Sequence, residues 1–229
     1  MGSFADNFYQ NFIQDHRYEY LLNGLGVTLI ITFFSVMIGI ILGFIVAMVR
    51  STYDKTGKGL IFNIICNIYL TVIRGTPVVL QLLITYFVIF ATVDVNKVFV
   101  AVIAFGINSG AYVAEIIRSG IMSIDNGQFE AGRSLGFSYV QTMIYFILPQ
   151  AFKNILPALG NEFIVLLKET SVAGYIALQD LTKGADIIRS RTYNAFMPLM
   201  AVAIIYLVLV MIFDKLVKNL ERRLRSSDH

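Results

Sequence analysis

Glu162 is a lone mid-span carboxylate in the apolar run ALGNEFIVLLKETS, with Asn161 before it, Pro157 just over a turn upstream, and Lys168 and Glu169 two turns on. A charge at mid-bilayer costs about 2.5–3.5 kcal/mol on insertion scales, so such a group faces a cavity, a substrate or a partner. Its chemistry is that of an acceptor for an ammonium or guanidinium. A second set lies in INSGAYVAE, where Asn108, Tyr112 and Glu115 fall at i, i+4 and i+7 on one helical face, with Ser109 beside them. A third is Arg74 and Thr76, in a Gly-Pro break inside an apolar segment. Membranes tolerate irregular backbone only against protein or water, so these two line a pathway or end a helix. The plainer reading has Asn and Ser joining helices, Glu162 pairing internally with a Lys or Arg, and Glu115 pairing with Arg118 at i+3.

Other chemistry is missing. The two histidines, His16 and His229, sit near the chain ends, and Cys66 is the single cysteine. That set builds neither a usual zinc site nor a Ser-His or Cys-His pair within a membrane. Gly57-Lys58-Gly59 lacks the spacing and the following Ser/Thr of a phosphate-binding loop, so ATP hydrolysis by this chain is not expected. An intramembrane enzyme would have to work with carboxylates and lysine alone.

The residues that must position these groups are apolar. Of 229 residues, 57% are hydrophobic and 14% charged, with a mean hydropathy of +0.71, against roughly 25% charged in a soluble domain. At about 20 residues per crossing, five spans are expected, over about 25–49, 60–93, 98–118, 139–172 and 196–214. The second is interrupted at Arg74-Gly75-Thr76-Pro77 and reads as one crossing made of two helices. The fourth is broken by Pro149 and Pro157, and its first part lies outside the hydrocarbon. A polar stretch, Ala177 to Asn194, has room for a short external helix. The first twenty residues are polar and of mixed charge, unlike a signal peptide. The chain reads as one transmembrane domain over 1–229.

Five crossings put the termini on opposite faces. One face holds ten Lys and Arg between Arg50 and Arg225, the other five between Arg17 and Arg191. The positive-inside rule therefore places the C-terminus and the segment around Glu130 in the cytoplasm, and the N-terminus outside.

That segment, EAGRSLGFSYVQTMIYFILPQ, is small and polar at its start and ends in Leu-Pro. Glu130, Ala131 and Gly132, then Gly136 after three residues, then Phe146 and Leu148-Pro149, keep the spacing of the EAA motif of ABC importer permeases. Gly132 stands where that pattern has its second alanine, and Phe146 where it has isoleucine. RGTPVVLQLL from Arg74, INSGAYVAEIIRSGI from Ile107, LPQAFKNILPALGNEFIVLLKETSV from Leu148 and the tail ERRLR resemble the polar amino acid uptake branch, so the likeness covers about residues 20–225.

The resemblance implies an all-α membrane protein, a five-helix type I importer (MetI-like) core with a cytoplasmic coupling helix over about 125–136. It implies contact of Asp125, Glu130, Ala131, Gly132, Leu135 and Gly136 with a separate ATPase subunit, two of which serve each complex. It also implies a second permease chain, identical or sister, and an extracellular or periplasmic binding protein that delivers the amino acid in a bacterial inner membrane. ATP and Mg would be used by the ATPase, with no cofactor bound by this chain and no nucleic acid partner. Glu162, Asn161, Asn108, Ser109, Arg74 and Tyr112 would then be the substrate-contacting residues. An acidic lining favours a basic amino acid slightly, with glutamine and cystine open. The competing class is a secondary transporter, which would more often show an inverted repeat, and none is visible.

Overall fold

The computed structural model describes residues 3–225, so His229 lies outside the described residues. All regular structure among them is helical. A short helix α1 (Phe4–Phe8) leads through tight turns into α2 (Tyr18–Thr56), then α3 (Leu60–Gly75), α4 (Val78–Ile84), α5 (Lys97–Met122) and α6 (Asn126–Ser134). After α7 (Tyr139–Thr142) come α8 (Leu148–Glu169), α9 (Leu181–Thr192) and α10 (Phe196–Arg225).

The helix α2 runs 39 residues, about 58 Å at 1.5 Å per residue, and carries its Arg50 and Lys55 near one end. It packs along α5, and small residues set the distance. A Cβ on Gly39 would lie 2.8 Å from Ser109 Oγ, and one on Gly106 2.8 Å from Ile38 Cγ2. Close approach of this kind is how helices associate where lipid supplies no hydrophobic drive. It also draws Asn108 and Ser109 into the interior, where both are buried.

Two apolar cores flank that polar level. One, around Ile31, Phe105, Leu166 and Ile176, lies toward α9. The other, around Val113, Ile121, Met143 and Ile147, lies toward α6. The long α10 stands largely apart and touches α8 through Phe163 and Phe213, whose rings are 4.8 Å apart. Its exposed Leu207, Met211 and Ile212 suit lipid or another subunit.

Among the described residues, three helices are long and apolar enough to cross a membrane: Tyr18–Thr56, Lys97–Met122 and Phe196–Leu224. The pair Leu60–Gly75 and Val78–Ile89 adds a fourth only if counted as one span, and it bends by 108° at the break. The second crossing, expected as two helices around the Gly-Pro break, is so built, with a sharp elbow between them. The expected fourth crossing does not qualify on composition, because Lys153, Asn161, Glu162, Lys168 and Glu169 dilute it.

Pro157 does not break it. The helix runs unbroken from Leu148 to Glu169 through that proline. Upstream, a π-turn at Met143–Ile147 widens the chain just before Pro149, which takes one of the first positions of α8.

Candidate functional site

The helices α4, α5 and α8 bring a polar cluster together. Glu162 on α8 is 8% exposed, and its Oε1 accepts a hydrogen bond from Ser109 Oγ of α5 at 2.9 Å. Among the described residues it forms no ion pair, which excludes internal neutralisation by Lys or Arg. One residue along α5, Asn108 donates from Nδ2 to Gln81 Oε1 at 2.9 Å, and its own Oδ1 is buried without a partner. Gln81 Nε2 in turn donates to the Ile73 and Thr76 carbonyls, at 2.7 and 3.0 Å, and lies 2.8 Å from Thr76 Oγ1. That one amide thus ties the elbow between α3 and α4 to α5. Chemically, α5 carries at Ser109 the bond to a buried carboxylate with capacity for further donors, and at the neighbouring residue an amide oxygen awaiting one.

Arg74 and Tyr112 belong to a second group. Arg74 lies 5.8 Å from the Tyr112 ring centre and 3.7 Å from Glu115 Oε1, which Arg50 of α2 also reaches at 2.7 Å. Glu115 therefore does not pair with Arg118, which reaches Asp54 instead at 3.4 Å. Glu115 and Arg118 each find their partners off α5 because that helix presents them toward α2 and the elbow. The two groups meet through Thr76 and Gln81. Asn161 joins neither: it is exposed, while its neighbour Glu162 is buried.

At the far end, α6 sits across the ends of α2 and α5. Asp125 caps it, its Oδ1 accepting from Gly127 N at 2.6 Å. It closes with paired reverse bonds, Gly136 N to Arg133 O at 2.9 Å and Phe137 N to Gly132 O at 3.1 Å. Gly136, at φ +85°, takes the left-handed position that this ending requires. Phe129 and Gly132 are buried, and Glu130, Ala131 and Leu135 are exposed, Leu135 at 71%. A Cβ on Gly132 would come within 2.6 Å of Thr142 Cγ2, so glycine replaces the alanine of the motif because Thr142 fills the space. Asp125 serves as cap, and the exposed face is made by its successors.

Comparison with known proteins decides the family. Residues 35–226 match the model of the binding-protein-dependent transport system inner membrane component. The chain belongs to this family. It lies in the polar amino acid branch of ABC importer permeases. It is 42% identical over 212 residues to the arginine transport system permease protein ArtQ of Bacillus subtilis (strain 168), covering 91% of this chain and 94% of that one. It is 35% identical over 208 residues to the glutamine transport system permease protein GlnP of Escherichia coli (strain K12), covering 90% and 93%. The crystal structure of an amino acid ABC transporter with histidines matches at 43% identity and a TM-score of 0.83, over 93% of this chain and 98% of that one. An inward-facing MetNI methionine ABC transporter shares the fold alone, at 19% identity and a TM-score of 0.78, over 90% and 96%.

Sequence reasoning about this permease missed two residues, Gln81 and Arg50. Gln81 stood inside a quoted motif, RGTPVVLQLL, and a polar side chain one turn past a proline break was the available signal. Arg50 looked like an ordinary cytoplasmic anchor, and only the packing of α2 on α5 reveals its carboxylate partner.

Proposed function

We propose that this permease carries a polar amino acid across the bacterial inner membrane as the membrane subunit of an ATP-driven importer. The observation that carries the reading is Glu162, a buried carboxylate held by Ser109 with no cation opposite it, one residue from the half-satisfied Asn108. A substrate α-ammonium or cationic side chain completes Glu162, and a donor from the same substrate completes Asn108 Oδ1. Arg74, half-exposed beside Tyr112 and only loosely held by Glu115, draws in the carboxylate. Asn161, on the exposed side of α8, reaches the substrate path from the second permease chain's direction or not at all.

The partners follow from the same reading. Two cytoplasmic ATPases use ATP and Mg, and each docks on the α6 face of Glu130, Ala131 and Leu135. An external binding protein delivers the amino acid, with the N-terminus outside and the C-terminus inside. Closure of the ATPases moves α6, and the spans rock as rigid bodies. The relatives named for arginine and glutamine share the α-ammonium that Glu162 would hold. One carboxylate favours the basic side chain only slightly.

Competition assays on the reconstituted transporter test this. Uptake of labelled arginine should fall at least tenfold in Glu162→Gln, with ATPase assembly intact. Unchanged uptake would remove Glu162 from the substrate path.

A further inference from the structure

Behind α6 lies a cleft of about 350 Å³ that the transport reading does not use. Its floor is apolar, made by Ile121, Ile124, Phe129 and Met143, with Met122 at the mouth. Its rim is polar and unevenly satisfied. Ser51 is 5% exposed, and its hydroxyl, at the cleft wall, has no hydrogen-bond partner. Lys55 Nζ donates to Asn126 Oδ1 at 2.7 Å and stands 4.7 Å from the Phe129 ring centre, leaving donors to spare. The rim carboxylate, Asp54, already faces Arg118 at 3.4 Å. Alongside that carboxylate, the rim keeps donors free to serve an occupant: an ammonium, a buried hydroxyl and the Asn126 amide.

Apolar floor, donor-rich rim and volume match the usual form of a small-molecule site, concave and mostly apolar with a few convergent polar groups. At roughly 30 Å³ per water-sized group, the cleft holds about a dozen methylene-sized units. We propose that it binds a free medium-chain fatty carboxylate, with the head on Lys55 and Ser51 and the chain along Ile121, Ile124 and Met143. The walls are α2 and α5 on one side and α6 on the other. An occupant therefore joins the exposed helix to the spans, at the place where motion of one must reach the other.

The test needs the permease alone, in nanodiscs of zwitterionic lipid, and so does not depend on the ATPase or on the transport reading. A diazirine-bearing decanoate is photolysed in the disc and the labelled peptides are mapped. Saturable labelling within residues 121–143 is expected, competed by decanoate at least tenfold better than by decanol. Met122→Trp, at an exposed position that fills the mouth, and Lys55→Gln should each lower the labelling at least fivefold. Labelling spread over the lipid-facing spans in proportion to probe would overturn the site. Equal competition by decanol would overturn the carboxylate, and displacement by anionic phospholipid in the disc would reassign the cleft to a leaflet lipid.

Discussion

Glu162 shows how much a residue type in context can say. A lone acid in an apolar run was legible from the cost of burying charge, and the structure adds the hydroxyl that steadies it. Ser109→Ala removes a hydrogen bond to a charged group, a loss of about 1.5–3 kcal/mol. It should raise the substrate concentration for half-maximal uptake at least tenfold, measured in the same liposomes as Glu162→Gln. Gln81 was not legible as a working residue, because its three acceptors come from backbone and side chain on the other side of an elbow whose angle no spacing encodes. Asn161 shows the opposite case: adjacency in sequence to Glu162 places it on a different, exposed face of the helix. At Gly132 the mild departure from the alanine of the motif has a local cause in Thr142. Gly132→Ala should destabilise the permease by about 1–3 kcal/mol through overpacking. Thr142→Ala in the same chain should restore most of it, read as the melting temperature in detergent.

Among the elements, α6 was the most legible. Asp125 before it and Gly136 after it are cap and left-handed stop, and a sequence carries both signals directly. The structure sets the helix at Asn126–Ser134, inside the expected stretch. Gly136→Trp forces a bulky side chain into a positive φ and should uncouple ATP hydrolysis from uptake while the spans stay folded. Uptake per ATP hydrolysed is the measurement, and normal coupling would remove α6 from its docking role. Pro157 was the least legible element signal, since a proline that interrupts a helix in isolation is accommodated when packing holds both sides. The helix α9 was expected in outline, and its attachment to α2 was not. Gly184 meets the Tyr20 backbone, and Asp180, fully buried, caps α9 through the Lys183 N–H at 2.8 Å. Burial pushes the Asp180 carboxyl up to about 6, against the Lys183 backbone bond that lowers it. A carboxyl raised on folding stabilises most at low pH, and the contribution is lost as pH climbs from about 4 through 6. Amide protection at Leu181–Ile188, with the intrinsic pH dependence of exchange divided out, should therefore fall over that window and level off above it. Asp180→Asn keeps the cap and should show no such window.

For the molecule as a whole, class and family were legible and the path of the chain was less so. Apolar runs and the spacing from Glu130 to Pro149 point to an importer permease, and the family match over 35–226 agrees. The count of crossings rests on length and apolarity, and both mislead where function intervenes. The break at Gly75 was legible but its 108° angle was not, and the polar residues of α8 disguise a helix that packs in the bundle. Polarity inside a membrane protein marks the working surface, so composition is least reliable where the mechanism sits.

The most direct test reconstitutes the permease in liposomes with the proposed binding protein and ATPase, and follows labelled arginine and glutamine with and without ATP. The account predicts uptake of at least one of them that requires ATP on the ATPase side and falls at least tenfold in Glu162→Gln. Uptake driven by an ion gradient in liposomes holding this chain alone would contradict it and make the protein a secondary transporter.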